Sequence, residues 1–210
     1  MTDFLIVIQN YFSTNWLEAI AAVLGIASVW YARRENILVF PTGIVSVLIY
    51  IYICFVARLY ADAGIQVFYA GMSVYGWYNW TRKTGDSDRL AITVNSRTEQ
   101  FIGIAATFVL YWIILGIIWY FNQDDMVYMR SYVPWVDSFT TAVFLIGMLL
   151  MARKKLENWI YWIIGNIISI PLYFIKGLAF TSFQYLIFLI LAVLAFMEWH
   201  RRWIESQKAC

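Results

Sequence analysis

The segment ARKKLENWIYWIIGNIIS, residues 152–169, joins a cluster of basic residues to an apolar run that carries amides. Its first part holds three basic residues and the pair Glu157–Asn158, and its second part is apolar enough to enter a bilayer. Basic clusters beside apolar runs are typical of the cytoplasmic ends of membrane helices. The segment therefore predicts a cytoplasmic turn between two membrane helices, the second of which begins near residue 157.

A similar segment, ARREN at residues 32–36, occurs earlier in the chain. Two apolar three-helix units can have similar sequences by chance, but a Glu-Asn pair at the same helix start in each copy favours a repeat. Parallel repeats of this kind build transporters with a binding site where the repeats meet. An offset of 122 residues, followed by a four-residue gap in the third helices, pairs Gly25 with Gly147, Glu35 with Glu157, Asn36 with Asn158, Gly43 with Gly165, and Gln66 with Gln184.

Seven apolar runs are close to the length of about 20 residues that a membrane helix needs. These runs predict an all-α integral membrane protein with seven transmembrane helices in a 3+1+3 parallel-repeat arrangement. They lie at roughly 15–33, 37–57, 64–81, 100–121, 137–152, 157–175 and 180–199. The predicted organisation is an interfacial N-terminal segment (1–14), a first repeat (15–81), a polar loop, linking helix 100–121 and outer loop (82–136), a second repeat (137–203), and a cytoplasmic tail (204–210).

The composition supports this class, because 62% of the 210 residues are hydrophobic and only 13% are charged. A soluble domain is about half apolar and a quarter charged. With seven spans, twelve basic residues fall on one side, and only Arg58, Arg130 and Lys176 fall on the other. Because basic residues stay cytoplasmic, we expect the N-terminus outside and the C-terminus inside. The net charge of +2 gives no indication of a nucleic-acid partner, and none is expected.

Some side chains near the ends of the spans are expected to serve the membrane interface. Amphipathic rings prefer the headgroup level, so four tryptophans are predicted to be belt residues. They are Trp16, Trp80, Trp119 and Trp199. Lys176, at the outer end of the sixth span, is expected to snorkel toward the headgroups.

The sixth span carries a polar stripe on one face. Asn158, Trp162, Asn166, Ser169 and Tyr173 are separated by four, four, three and four residues, which places them on one side of a helix. An amide in hydrocarbon needs partners, because burying it unpaired costs several kcal/mol. Those partners could be a solute or a neighbouring helix, and Asn158 could simply cap the helix. The rings beside Asn166 favour a solute site there.

Two other spans carry related positions. Gln66, Tyr69 and Ser73 follow helical spacing in the third span, and Gln184 and Phe188 do so in the seventh. Rings stack on flat solutes and attract positive charge, while amides both donate and accept hydrogen bonds. A site with these groups suits a flat, polar, uncharged or cationic solute, and the nucleosides and vitamins are the expected class.

The chemistry of an enzyme or an ion pump is not visible in the sequence. No Asp or Glu falls in the middle of a span, although buried carboxylates serve proton relays and many ion-coupled sites. Backbone carbonyls could still bind Na⁺, so ion coupling is only disfavoured. There is no phosphate-binding loop, no His-Glu-x-x-His and no nucleophile elbow. We therefore predict no catalytic residue, no metal site and no cofactor.

The chain resembles the PnuC family of bacterial vitamin transporters. The resemblance is carried by NWLEAIAAVLGI (15–26), LYADAGIQVFYAGMSVYGWYNW (59–80), WVDSF (135–139), ARKKLENWIYWIIGNIIS (152–169) and FQYLIF (183–188). It implies a three-plus-one-plus-three architecture similar to the sugar-transporting SWEET proteins, a homotrimer in the bacterial inner membrane, and facilitated diffusion of nicotinamide riboside that an intracellular kinase traps as the phosphate. Trp162 and Asn166 match the family's Trp-x-x-x-Asn motif, and Gln66 and Gln184 match its polar positions.

The predicted function is therefore a uniporter for nicotinamide riboside, in which Trp162 stacks on the pyridinium while Asn166 and Gln184 bind the carboxamide or the ribose. Thiamine, or another vitamin such as riboflavin, is the alternative within the family. A membrane receptor or assembly subunit without transport activity, or an enzyme acting on lipids, is the alternative from another class. At the offset of 122 residues, Phe40 and Ile44 are the first-repeat counterparts of Trp162 and Asn166, which predicts an asymmetric pocket.

Overall fold

The computed structural model describes residues 16–57, 60–82, 90–123 and 125–208. The chain forms two compact units, unit 1 (Met1–Tyr78) and unit 2 (Asn79–Cys210). The predicted interfacial segment at 1–14 lies outside the described residues. So do the last two residues of the predicted tail and the basic residues Arg58, Lys83 and Arg89.

The described ranges are helical and contain no strand. Within these ranges, six helices are long and apolar enough to cross a membrane, namely α1, α2, α4, α6, α7 and α8. The all-α prediction is confirmed for these residues, while the seventh span stays a prediction, because polar residues such as Asp62, Gln66 and Asn79 leave the 22-residue α3 outside that set. The helices are α1 (Trp16–Arg33), α2 (Val39–Val56), α3 (Tyr60–Thr81), α4 (Arg97–Phe121), α5 (Met126–Arg130), α6 (Val133–Ala152), α7 (Asn158–Ile175) and α8 (Ala179–Lys208).

In unit 1, a tight turn ends α1 and leads into α2. The amide of Asn36 donates to the carbonyl of Tyr31 at 3.0 Å, and the amide of Glu35 donates to that of Ala32 at 3.0 Å. Glu35 has a φ of 54°, the left-handed conformation that commonly ends a helix. The turn satisfies carbonyls that the end of α1 would otherwise leave without donors.

Unit 2 has the same turn between α6 and α7. The amide of Lys155 donates to the carbonyl of Leu150 at 3.0 Å, the amide of Lys154 donates to that of Met151 at 2.9 Å, and Lys154 has a φ of 57°. Lys154 therefore occupies the position that Glu35 occupies in unit 1, which is an offset of 119 residues.

The helix bounds recur at the same offset. Val39 and Asn158 begin α2 and α7, and Val56 and Ile175 end them. The alignment at 122 residues is therefore wrong for this turn. The residue with positive φ is equivalent in the two turns only at an offset of 119, and at that offset the two Glu-Asn pairs lie at different positions of the turn. At 119 residues, Gly43 and Val47 are the counterparts of Trp162 and Asn166, in place of Phe40 and Ile44.

The third helix of each unit begins at the same offset, because Tyr60 begins α3 and Ala179 begins α8. Gln66 therefore corresponds to Tyr185, one residue from the predicted Gln184.

The segment before α4 runs along the α6–α7 turn. The backbone of Thr93 exchanges hydrogen bonds with Lys154 and Leu156 at 3.2 and 2.9 Å. The Lys154 ammonium donates to the carbonyl of Leu90 at 2.7 Å, and a side-chain oxygen of Glu157 accepts from the backbone amide of Asn95 at 2.8 Å. Lys154 is only 4% exposed, so this member of the predicted basic cluster does not face headgroups.

Two of the predicted belt tryptophans are buried within unit 2. Trp80 and Trp199 are 4% and 0% exposed, and their ring centroids lie 5.8 Å apart. Trp199 also meets Trp159 edge-to-face at 5.4 Å. The belt prediction is therefore wrong for Trp80 and Trp199, because rings near a span end can pack between helices just as well. Trp16 and Trp119 are 57% and 61% exposed, as belt residues would be.

Candidate functional site

The polar stripe of α7 faces the interior of the protein. Asn166 and Ser169 are each only 1% exposed, whereas Ile160, Ile164 and Ile167 on the other face are 41–53% exposed. The spacing of four residues therefore predicted the buried face of the helix correctly. This placement excludes an arrangement in which Asn166 turns toward the acyl chains.

Four buried polar atoms in the middle of this stripe have no hydrogen-bond partner within the described ranges. They are both amide atoms of Asn166, the Trp162 indole nitrogen Nε1 and the Ser169 hydroxyl. Burying such groups unpaired costs about 1–3 kcal/mol each by mutational measurement. Native proteins pair nearly all of their buried polar groups, so a run of three unpaired residues on one face needs an explanation. A solute that supplies the missing partners is one such explanation.

A ring cluster lines the same region of unit 2. It consists of Phe144 on α6, Trp162 and Tyr173 on α7, and Tyr185 and Phe188 on α8. Phe144 lies 5.2 Å from Trp162 and stacks on Tyr185 at 6.0 Å, measured between ring centroids. Tyr185 stacks in turn on Tyr173 at 5.0 Å and meets Phe188 edge-on at 6.3 Å. Along α7, Asn166 and Ser169 lie between Trp162 and Tyr173, the two members of the cluster on that helix.

Two glycines make room for these rings. A Cβ on Gly165 would overlap the ring of Phe144, which packs directly on the backbone of α7. A Cβ on Gly147 would lie 3.2 Å from Cβ of Tyr161 and 3.5 Å from Nε1 of Trp162. The position of Phe144 therefore depends on the absence of a side chain at residue 165, while Gly147 allows a close approach of the backbone at Tyr161 and leaves the Trp162 indole in ordinary contact.

Asn158, the first residue of the stripe, lies at the α6–α7 turn. It is fully buried, and its Nδ2 donates to the carbonyl of Lys155 at 2.6 Å, while its Oδ1 has no partner in the part of the chain that the structure describes. Half of this amide is therefore engaged by the turn itself. The capping alternative is therefore wrong for Asn158, because Glu157 occupies the cap position and the Asn158 side chain donates to a carbonyl instead of accepting from a helix amide. Only its oxygen is left for a solute.

The remaining predicted residues divide between the two units. Gln184 and Phe188 are half-buried on α8 of unit 2, where Gln184 directly precedes the ring-cluster member Tyr185. Gln66, Tyr69 and Ser73 lie on the part of α3 that belongs to unit 1. Ser73 is 3% exposed there, and its hydroxyl would lie 3.9 Å from a Cβ on Gly43.

Two residues of the ring cluster were missed at the level of the sequence. A lone Phe144 in an apolar run looks like core, and Tyr185 was passed over in favour of Gln184 beside it. A signal for Phe144 does exist, since it lies three residues before Gly147 and therefore on the same helix face as a position that a bulky residue would block. Within the described ranges, no three His, Cys, Asp or Glu side chains come together as metal ligands would.

Comparison with known proteins identifies relatives along nearly the whole chain. The nicotinamide mononucleotide transporter family model matches residues 15–201. The chain is 26% identical to the nicotinamide riboside transporter PnuC of Escherichia coli (strain K12), covering 94% of this chain and 88% of that one. It is also 26% identical to the riboflavin/roseoflavin transporter RibM of Streptomyces davaonensis, covering 92% and 87%.

A solved structure has the same fold. The crystal structure of the vitamin B3 transporter PnuC superposes with a TM-score of 0.67 over 95% of this chain and 88% of that one, at 23% identity. A match to the family model over most of the chain, together with relatives that are transporters, establishes the family. The chain belongs to the PnuC family of vitamin transporters and is a multi-pass membrane protein.

Proposed function

We propose that this chain carries nicotinamide riboside across the bacterial inner membrane by facilitated diffusion. In this proposal the solute moves down its own gradient, and an intracellular kinase phosphorylates it and so prevents its return. The relative from Escherichia coli is a nicotinamide riboside transporter, which supports this choice of solute. No carboxylate lies in the middle of a span, which supports uniport over proton coupling.

The observation that carries the proposal is the buried, unpaired amide of Asn166, which lies on α7 between the ring-cluster members Trp162 and Tyr173. Nicotinamide riboside offers a flat cationic ring, a carboxamide and ribose hydroxyls. In the proposed complex Trp162 stacks on the pyridinium, and Asn166 donates to and accepts from the carboxamide or the ribose. Gln184, Ser169, Tyr173 and Phe188 complete this part of the site.

Four of the predicted binding residues have a weaker basis in this proposal. Asn158 offers one free oxygen, at the end of the stripe nearest the α6–α7 turn. Gln66, Tyr69 and Ser73 are proposed from helical spacing on α3, and for Gln66 also from the resemblance.

Riboflavin is the second candidate solute, and the observation that favours it is the relative RibM. That riboflavin/roseoflavin transporter is as similar to this chain as the nicotinamide riboside transporter from Escherichia coli. A site of rings and amides also suits an uncharged flavin ring. Thiamine, another cationic aromatic, fits the same groups, and a direct comparison of the three solutes would separate them.

The proposed arrangement in the membrane has seven spans in the order three, one, three. The recurrence of helix bounds at 119 residues supports two three-helix repeats, with α3 as the seventh span and α4 as the link. The distribution of basic residues supports an outside N-terminus and a cytoplasmic C-terminus. The homotrimer is proposed from the resemblance to the family.

The test is uptake into proteoliposomes that contain the purified chain and no kinase. Labelled nicotinamide riboside should equilibrate across the membrane at a rate above that of empty liposomes, without an ion gradient. Uptake beyond equilibrium that follows a Na⁺ or proton gradient would contradict uniport. Uptake of riboflavin with no uptake of nicotinamide riboside would favour the second candidate.

A further inference from the structure

The end of α7 opposite the α6–α7 turn carries an ion pair instead of a snorkelling lysine. Lys176 directly follows the last residue of α7, and its Nζ lies 2.6 Å from Oδ2 of Asp137 on α6. The side chains of Lys176 and Asp137 are only 25% and 21% exposed. The expectation that Lys176 reaches for headgroups is therefore wrong, because its ammonium pairs with a carboxylate on the neighbouring helix.

The same ammonium also lies against the ring cluster. Nζ of Lys176 is 5.1 Å from the centroid of the Tyr173 ring, close enough for a cation–π contact. Tyr173 stacks on Tyr185, which stacks on Phe144. A protein cation therefore sits at one end of the row of rings that a cationic aromatic solute would use.

We propose that Lys176 sets the charge preference of this transporter. Its ammonium neutralises Asp137 and occupies the edge of the ring cluster, so a cationic solute meets neither an unpaired carboxylate nor a free Tyr173 face there. This inference rests on the proposed function, since it requires that solute pass the ring cluster of unit 2. Lys176 is then a specificity-determining residue. By lowering the preference for cations, it allows the site to accept uncharged flat solutes as well as cationic ones.

The shared helix end does not require a lysine. At the offset of 119 residues, the position of Lys176 corresponds to Ala57, which directly follows α2 in unit 1. Both ends are closed by the same backbone bond, in which the last amide donates to the carbonyl four residues earlier at 3.0 Å. The backbone therefore ends the helix without the ammonium, so the charge at residue 176 is available for a further role.

The test compares two solutes that differ mainly in charge, namely nicotinamide riboside and its reduced, uncharged dihydropyridine form. Initial uptake rates of both are measured in proteoliposomes for the unaltered chain, Lys176→Met, and the double variant Lys176→Met/Asp137→Asn. Lys176→Met unmasks the carboxylate and keeps most of the apolar stem. The ratio of cation to neutral uptake should rise about 3- to 10-fold, since an unscreened carboxylate in a partly buried site attracts a cation by that order. The double variant should return the ratio toward that of the unaltered chain.

Lys176→Arg serves as the matched control, because it keeps the charge and should keep the ratio. If all variants show the same ratio, the ion pair is only a structural tie and the inference fails while the proposed function stands. If the unaltered chain moves neither solute, the proposed function fails and the inference with it. If Lys176→Met is inactive, the same ratio is measured by displacing labelled nicotinamide riboside from the detergent-solubilised variant, and an unchanged ratio there also overturns the inference.

Discussion

The helix pairs α1–α2 and α6–α7 have the same turn and, at the offset of 119 residues, the same bounds of the second helix, but they differ in the side chains packed between the two helices. In α1–α2, the hydroxyl of Ser28 packs against Gly43, where a Cβ would lie 2.9 Å from it, and donates to the carbonyl of Val39 at 2.8 Å. At the equivalent positions of α6–α7, Gly147 packs against the indole of Trp162. The glycine therefore lies on the second helix of the pair in unit 1 and on the first helix in unit 2, where the facing position holds the ring of Trp162.

A second pair of positions shows the same contrast. Ser46 in unit 1 is 4% exposed and donates to the carbonyl of Ala21 at 2.7 Å, with Gly25 at the position that corresponds to Phe144. In unit 2, Gly165 takes the place of Ser46 and lies under the ring of Phe144. The hydroxyls of Ser28 and Ser46 in unit 1 bond one helix to the other. In unit 2, glycines that face rings occupy the equivalent positions, and Asn166 on the same helix as Trp162 has no partner among the described residues. The contrast distinguishes polar groups that are bonded within the fold from the unpaired groups that we propose bind a solute.

The largest effect is expected from Gly165→Ala. The new Cβ would overlap the ring of Phe144, and its position is fixed by the backbone. Overpacking of this kind costs about 1–3 kcal/mol or more, so we expect a lower unfolding temperature in detergent and loss of uptake. Gly116→Ala on α4 is the matched control, since a Cβ there meets nothing within 4 Å. Equal behaviour of the two variants would show that Phe144 does not need its place against α7.

Asn166→Ala should separate binding from stability. If the amide pairs with the solute, its loss weakens binding by about 1–3 kcal/mol. Because the amide has no partner among the residues that the structure describes, the unfolding temperature should stay the same or rise. Ligand titration and thermal unfolding of the same preparation check both parts. Unchanged affinity would remove Asn166 from the site, and a large loss of stability would mean that it holds the helices together.

Ser46→Ala should give the opposite pattern in unit 1. Removing the hydroxyl leaves the carbonyl of Ala21 without this donor, which lowers the free energy of unfolding by about 1 kcal/mol. Affinity for nicotinamide riboside should not change. If Ser46→Ala weakened binding as much as Asn166→Ala, the assignment of separate roles to the two helix pairs would be wrong.

The smallest effect is expected from Gly43→Ala. The new Cβ would press on the hydroxyl of Ser28, which can rotate away at the loss of one hydrogen bond, about 1 kcal/mol. Replacing a helical glycine by alanine returns about 1 kcal/mol, so the free energy of unfolding should change little. A drop of several kcal/mol in denaturant unfolding would show that Ser28 is held too firmly to move.

Much of the fold and part of the site followed from sequence patterns that repeat along a helix. The apolar runs correspond to the six candidate spans and to α3, and the spacing of Asn166 and Ser169 placed them on the buried face of α7. The sequence-based alignment of the repeats was off by three residues, because the visible Glu-Asn match is not what forms the turn. The buried positions of Trp80 and Trp199 were also missed, since a tryptophan near a span end looks the same whether it faces lipid or another helix.

The sequence by itself determined that this chain is helical and made for a membrane, and that one face of α7 is polar. These properties depend on composition and on the period of the helix, which local sequence carries. Only the tertiary structure decided that Phe144 and Tyr185 join Trp162 and Tyr173, and that Lys176 pairs with Asp137. Those contacts join residues up to about 40 positions apart in the chain, and packing between helices depends on side-chain size at facing positions, which no periodic pattern within one helix records.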